Sequence, residues 1–203
     1  MRSQMLRLPS RSISLYVRII GKGYPLLLMH GGLGVDHSTL LPMTRCSDTF
    51  WLIFYDHRCN GRSRGASLTS LTWDNLILDA EALRERIGIS EWAVLAYYHD
   101  HSLFMQIGAL LNAIKMRSRP DACIYGFQLL LKEWSIMDRL AEIAVPTLLI
   151  AGRRDFQFPP EHQMEMAKSY SNAHYEIVEQ ASHNPLIARP METMKLIKQF
   201  MKL

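Results

Sequence analysis

Two side chains suited to acid–base chemistry follow neighbouring predicted strands near the C-terminal end of the chain. Asp155 comes three residues after the apolar run TLLIAG, and His183 follows the run YEIVEQA. Ligand sites in open α/β sheets form beyond the carboxyl ends of the strands, so we expect both side chains at one edge of a sheet. A carboxylate there would orient the imidazole and stabilise its protonated form, as a general base requires. Two structural alternatives stay open, namely that Asp155 caps a helix and that His183 is a structural histidine.

A glycine-rich segment follows another predicted strand. The sequence HGGLG spans residues 30–34, directly after the apolar run PLLLM. Glycines allow backbone amides to approach a substrate oxygen closely, which is the requirement of an oxyanion hole. A phosphate cradle is the alternative, but the segment has neither the Gly-x-Gly-x-x-Gly spacing nor the lysine of a P-loop.

The elements that must position these residues alternate along the chain. Strands are predicted at 12–20, 25–29, 50–56, 91–96, 145–152 and 174–180, and helices at 39–45, 71–88, 102–114, 128–143, 159–170 and 189–203. The clearest helix has Thr72 as its N-cap and Gly88 at its end. Buried strands that alternate with helices predict an α/β fold, with a mostly parallel sheet covered on both faces. We expect one domain over residues 1–203.

Composition and charge exclude several classes of protein. The 203 residues carry a net charge of +4, but the basic residues are scattered, so we expect no nucleic-acid partner. Three cysteines without paired spacing favour a reducing cytoplasm. We expect no signal peptide and no membrane partner, because the N-terminus is polar and no apolar run approaches ~20 residues. We also expect no cofactor and no metal, with chelation by His99, His101 and His183 as the alternative.

Several stretches together resemble a known family. The sequences PLLLMHGGLGVDHSTLLPM, FYDHRCNGRS, LAEIAVPTLLIAGRRDFQFPPEHQ and EQASHNPLIARPMETMKLIKQFM are similar to the α/β-hydrolase superfamily, and most similar to its proline iminopeptidase-like branch. The resemblance covers roughly residues 15–95 and 138–203. It implies that Asp155 is the triad acid, that His183 is the triad base, and that Gly32 and Leu33 lie where an oxyanion-hole amide is supplied. It also implies that Cys59 replaces a glycine in a turn where a positive φ is expected.

The nucleophile motif of that family is not intact in this chain. The family has Gly-His-Ser-x-Gly-Gly after the strand that precedes residue 97, because the serine sits on a strained turn between strand and helix. Direct continuation places Tyr98 at the nucleophile position, and a shift of four residues places Ser102 there. In the third interpretation the elbow, one strand and much of the lid are missing, and residues 97–127 are a lid remnant or an altered elbow. Cys123 is a further nucleophile to consider.

The sequence leads to two hypotheses for the function of the chain. In the first, the chain is a serine hydrolase that acts on small esters, amides or N-terminal peptide bonds, with Ser102 as the nucleophile. In the second, it is a catalytically inactive, truncated or engineered hydrolase-derived protein that acts by binding. A reduced lid would leave apolar surface exposed, so we also expect a homo-oligomer.

Overall fold

The structure is a computed structural model, and it describes residues 2–96, 119–130, 132 and 135–203. The chain divides into two compact units, one of residues 1–133 and one of residues 134–203. They are called the N-terminal and the C-terminal unit below, and each is described by itself.

Five strands form one sheet among the described residues of the N-terminal unit. They are β1 (Arg2–Leu8), β2 (Ile13–Ile20), β3 (Tyr24–Met29), β4 (Phe50–Tyr55) and β5 (Ala93–Ala96), and they lie in the order β1-β2-β4-β3-β5. The pairings β3–β4 and β3–β5 are parallel, whereas β1–β2 and β2–β4 are antiparallel. Strands β3 and β4 carry continuous apolar runs and are mostly buried, as expected for strands that are covered on both faces, whereas Val94 of β5 is exposed.

One long helix covers this sheet. Helix α1 (Trp73–Ile87) buries Ala80 and Leu83 in a core that also contains Leu27 of β3 and Ile53 of β4. The hydroxyl of Thr72 accepts a hydrogen bond from the amide of Asn75 at 3.2 Å. Gly88 ends the helix at φ +81°, a conformation that is free of strain only for glycine. Both predicted ends of this helix are confirmed.

Shorter helical segments make up the other helical structure in the described part of the N-terminal unit. They are 3₁₀ turns at Pro9–Arg11, His37–Cys46 and Leu68–Ser70, helix α2 (Pro120–Tyr125) and a π-helical turn at Gly126–Leu130. Ala122 of α2 packs in a second apolar cluster with Leu33, Leu71 and Leu76. This cluster therefore fixes part of the glycine-rich segment after β3.

The C-terminal unit contains the other predicted strand pair. Strands β6 (Thr147–Gly152) and β7 (Ala173–Val178) are parallel, and Gly152 is in register with Val178. The unit also contains a 3₁₀ turn at Met137–Glu142 and three helices, α3 (Pro160–Lys168), α4 (Pro185–Ala188) and α5 (Pro190–Phe200). Because β6 and β7 run in the same direction, the segments after them leave from the same edge.

Three differences from the sequence prediction concern β1 and two of the predicted helices. Residues 2–8 form β1, which pairs with β2 through the register Arg2↔Ile19 to Leu8↔Ile13, where no strand was predicted. The helix predicted at 39–45 is a 3₁₀ turn with Pro42 inside it. The helix predicted at 128–143 is wrong as one element, since the described part of this range has a π-helical turn that ends at Leu130 and a 3₁₀ turn that begins at Met137. The helix predicted at 102–114 lies outside the described residues.

The single-domain interpretation and the predicted lid remnant concern the whole chain and residues 97–127. The interpretation of residues 1–203 as one domain stays a prediction. Of the segment 97–127, only residues 119–127 are described, and they include α2. Among the described helices, none is both long enough and apolar enough to cross a membrane.

Candidate active site

The predicted acid and base lie in contact in the C-terminal unit. The Nδ1 atom of His183 is 3.0 Å from Oδ2 of Asp155. The carboxylate side chain is 3% exposed and the imidazole 12% exposed, so the pair is largely shielded from water. A hydrogen bond through Nδ1 leaves Nε2 as the ring nitrogen that can exchange a proton with another group. This is the arrangement in which a carboxylate orients a general base.

The backbone holds Asp155 in place on its other side. Its Oδ1 atom accepts hydrogen bonds from the amides of Gln157 and Phe158, both at 3.0 Å. The two carboxylate oxygens therefore have different roles, since one is bound by the loop and the other by the imidazole. The Phe158 ring also stacks on the His183 ring, with centroids 5.7 Å apart and an angle of 25° between the planes.

A close backbone approach brings the two segments together. At the end of β6, a Cβ atom on Gly152 would collide with the carbonyl oxygens of Ser182 and Ala181. The amide of Arg154 donates to the Ala181 carbonyl at 2.8 Å, which ties the segment after β6 to the segment after β7. Glycine at position 152 thus allows the loop with His183 to lie against the loop with Asp155.

The glycine-rich segment of the N-terminal unit is held by the turn that follows β4. Gly32 and Gly34 have φ values of +65° and +90°. The amide of Gly34 donates to the side-chain oxygen of Asn60, so this amide is not available to a substrate oxygen. The Leu33 side chain is 7% exposed and packs against Gly126. Among the described residues, no acceptor is bound to the amides of Gly32 and Leu33, the two positions that the resemblance implicates in an oxyanion hole.

The turn after β4 has Cys59 in a left-handed backbone conformation. Cys59 has a φ of +62°, within the left-handed region that disfavours most side chains. Its thiol is buried and donates to the carbonyls of Ala66 and Ser67 at 3.5 and 3.4 Å. Burial raises the pKa of the Cys59 thiol, so it stays protonated at neutral pH. Cys59 thus adopts a positive φ even though cysteine tolerates this conformation poorly.

A second imidazole–carboxylate pair, which the sequence did not predict, lies in the N-terminal unit. His37 Nδ1 is 2.6 Å from Asp56 Oδ1, and both side chains are buried. Burial acts to raise the pKa of Asp56, but the hydrogen bonds from His37 and from the Arg62 amide outweigh it, so the pKa is lowered. The sequence gives little signal for this pair, because Asp56 directly follows β4 but His37 lies eight residues beyond the end of β3.

Two further buried imidazoles lie against each other in this unit. The His57 amide donates to His30 Nε2 at 3.0 Å, and the ring centroids are 4.2 Å apart. Burial lowers the pKa of His30 to about 4 and that of His57 to about 3. Both rings are therefore neutral at physiological pH, so His30 can accept a hydrogen bond through Nε2.

A buried ion pair ties the turn after β4 to α1. Arg58 donates to both oxygens of Asp79, at 2.6 Å from Nε and 2.5 Å from Nη2. Arg11 adds a third contact to the same carboxylate at 3.1 Å. Because Asp79 is 2% exposed, this carboxylate depends on the two guanidinium groups for its compensation.

Of the remaining predicted site residues, only Cys123 lies within the described part of the chain. Ser102, Tyr98, His99 and His101 lie outside the described residues, so the choice among nucleophiles and the metal alternative stay predictions. Cys123 is partly buried, and burial raises the pKa of its thiol. Within the described parts of the chain, no group of three or more metal-ligating side chains is placed to hold an ion.

Sequence comparison finds hydrolases among the relatives of this chain, and no family model matches it. Over 115 residues it is 36% identical to a proline iminopeptidase of Neisseria meningitidis serogroup A, which covers 51% of this chain and 36% of the relative. Over 127 residues it is 26% identical to a pimeloyl-[acyl-carrier protein] methyl ester esterase of Legionella pneumophila strain Corby, with coverage of 57% and 53%. The chain thus matches about a third to a half of the length of these curated relatives.

Solved structures resemble the chain over nearly its full length. An alpha/beta fold family hydrolase from Bacillus anthracis strain Sterne matches with a TM-score of 0.79 and 15% identity, over 98% of this chain and 99% of that one. A proline iminopeptidase-related protein from Thermus thermophilus matches with a TM-score of 0.79 and 16% identity, over 100% and 98%. At this identity the likeness establishes the fold.

Proposed function

Because the chain has the α/β-hydrolase fold and is related in sequence to proline iminopeptidases, we propose that it is a serine hydrolase. Its substrates in this proposal are small esters, amides or N-terminal peptide bonds. The observation that carries the proposal is the 3.0 Å contact between His183 Nδ1 and Asp155 Oδ2, with the second carboxylate oxygen bound by two backbone amides. A carboxylate held in this way fixes the tautomer and the orientation of a general base.

In the proposed reaction Ser102 is the nucleophile. Its Oγ attacks the substrate carbonyl carbon while its proton passes to Nε2 of His183, and the carbonyl oxygen becomes an oxyanion. The amides of Gly32 and Leu33 donate hydrogen bonds to that oxyanion. The imidazolium then gives its proton to the leaving group, the carbon–leaving-group bond breaks, and water hydrolyses the acyl-enzyme by the same steps.

We further propose a small substrate, a cytoplasmic location and self-association for this chain. The relatives are named for an iminopeptidase and a methyl ester esterase, which supports a small-molecule or short-peptide substrate and no nucleic-acid partner. The three cysteines are thiols, which supports a cytoplasmic location. Self-association of the chain into a homo-oligomer stays part of the proposal.

Turnover assays with matched variants test this function. The full chain is offered a panel of short-chain nitrophenyl esters and an N-terminal prolyl anilide. We expect hydrolysis by the unmodified chain and by His162→Ala, an exposed histidine on α3, and loss of hydrolysis in His183→Ala and Ser102→Ala. Hydrolysis that survives His183→Ala would overturn the role of the Asp155–His183 pair.

Binding without turnover is the second candidate. It is favoured by the sequence, because His99, Asp100 and His101 stand next to Tyr98 where the family has small residues. A chain that unfolds cooperatively but hydrolyses none of the panel would support this candidate against the first.

A further inference from the structure

A small cavity in the N-terminal unit is lined by arginine and serine side chains. It is an open cavity of about 190 Å³ among the end of β1, the start of β2 and the loop after the β4 turn, and Arg7 and Arg64 are exposed at its rim. Arg7, Arg58 and Arg64 line it, together with Ser12, Ser14 and Gly65. We call it the arginine pocket. None of the candidate catalytic residues lines it, so its ligand chemistry is independent of the proposed hydrolase function.

The arginine pocket has an excess of positive charge. Arg7 and Arg64 form no ion pair with a carboxylate of the described residues. Arg58 is paired with Asp79, but Asp79 is shared with Arg11, so one carboxylate compensates two guanidinium groups. Uncompensated guanidinium groups around a concave surface raise the local concentration of anions.

Several hydrogen-bond donors in the arginine pocket also make no hydrogen bond to another group of the described residues. Arg58 uses Nε and Nη2 for Asp79 and Nη1 for the Ser70 carbonyl, which leaves two of its five N–H groups. Arg7 is in register with Ser14 across the β1–β2 pair, so their side chains lie side by side on one face of the sheet. In the described part of the chain, the hydroxyls of Ser12, which is exposed, and of Ser14, which is partly exposed, make no hydrogen bond to another protein group. A ligand with several acceptor oxygens would satisfy these donors.

The volume and the positive charge of the arginine pocket together indicate which kind of ligand it fits. The volume is below the ~300 Å³ at which pockets for drug-sized molecules begin, so the pocket fits a small group. A Cβ atom on Gly65, which has a φ of +101°, would meet no atom within 4 Å, so the rim is open beside it. Guanidinium groups bind phosphate oxygens in a bidentate manner, and a dianion compensates more of this charge than a carboxylate does.

We propose that the arginine pocket binds the phosphate group of a small molecule or of a lipid headgroup. Arg7 and Arg64 supply the charge, and Arg58, held in position by Asp79, supplies the remaining guanidinium donors. The open rim beside Gly65 accommodates the ester substituent.

Calorimetric titration of the full chain with inorganic phosphate and with glycerol 3-phosphate, at constant ionic strength, tests the proposal. The double variant Arg7→Gln/Arg64→Gln removes the two unpaired charges. The variant Arg2→Gln/Arg45→Gln removes the same net charge from exposed positions that do not line the pocket, and so serves as the matched control. We expect saturable binding that weakens at least tenfold in the first variant and less than twofold in the second.

Three results would overturn the proposal: no saturation by about 10 mM phosphate, equal weakening in both double variants, or acetate that binds as tightly as phosphate.

Vesicles of phosphatidylcholine with and without phosphatidate distinguish a lipid headgroup from a free phosphate ester as the ligand. Phosphatidate-dependent binding that is lost in Arg7→Gln/Arg64→Gln identifies a lipid headgroup. Binding of glycerol 3-phosphate without vesicle binding identifies a free phosphate ester.

Discussion

Replacement of Asp79 by asparagine tests the buried ion pair that holds the turn after β4. The carboxylate is 2% exposed and accepts from Arg58 at 2.6 and 2.5 Å and from Arg11 at 3.1 Å. Asparagine preserves the size of the side chain but leaves the Arg58 charge buried without a counter-ion. Removal of one partner of a buried pair typically costs about 3–5 kcal/mol. We expect the free energy of unfolding of Asp79→Asn to fall by this amount.

Urea unfolding followed by circular dichroism measures the change, with the midpoint shifted and the slope unchanged. For a chain of this size the loss corresponds to a melting temperature lower by roughly 6–20 °C. The matched control is Glu142→Gln, which removes a carboxylate from an exposed pair with Arg139 at 2.9 Å. Exposed pairs contribute about 0–1 kcal/mol, so the control should change little.

A double variant separates loss of the pair from exposure of an unpaired charge. Replacement of both Arg58 and Asp79 by apolar residues of similar volume removes the buried charge together with its counter-ion. We expect Arg58→Met/Asp79→Leu to recover part of the stability that Asp79→Asn loses. If Asp79→Asn loses no more stability than Glu142→Gln, the buried pair does not stabilise the turn and the reasoning is refuted.

Three further predictions concern the imidazoles and the residues around them. The pKa values of His30 and His57 are lowered from 6.5, so the unfolded chain binds more protons as the pH falls. Unfolding titrations between pH 6.5 and 4 should therefore show stability decreasing by up to about 1.4 kcal/mol per pH unit for each imidazole, and a flat profile would contradict their burial as neutral rings. Asp155→Asn should slow ester hydrolysis by about 10⁴-fold without loss of cooperative melting, because the tautomer of His183 is no longer fixed, and an unchanged rate would exclude that role. Phe158→Leu should lower the turnover number roughly two- to tenfold through loss of ring stacking on His183, and a change confined to KM would contradict a positioning role.

Most of the elements could be predicted from local patterns in the sequence. Thr72 and Gly88 define the ends of α1 because their side-chain and backbone preferences act within one turn of the helix. The apolar runs of β3, β4 and β6 are typical of strands that are buried on both faces. Strand β1 was not predicted, because Arg2, Gln4 and Arg7 make its sequence polar. It is the edge strand of the sheet, where one side faces water, and it pairs with β2 without a continuous apolar run.

The candidate site likewise contains one contact that could be predicted from the sequence and one that could not. Asp155 and His183 could be predicted as neighbours because each follows a strand, and a parallel pair of strands brings their ends together. The pair of His37 and Asp56 could not, because their contact depends on the path of the loop after β3 rather than on strand order. Cys59 adopts the positive φ of the glycine it replaces, since burial and two carbonyl acceptors hold its thiol in place.

Active-site labelling shows directly whether Ser102 reacts as a nucleophile with His183 as its base. The full chain is treated with a fluorophosphonate probe, and the adduct is located by intact mass and peptide mapping, with His183→Ala and His162→Ala treated in parallel. We expect one adduct, on Ser102, that forms in the unmodified chain and in His162→Ala and is lost in His183→Ala. A cooperatively folded chain that forms no adduct, or an adduct that does not depend on His183, would contradict this expectation.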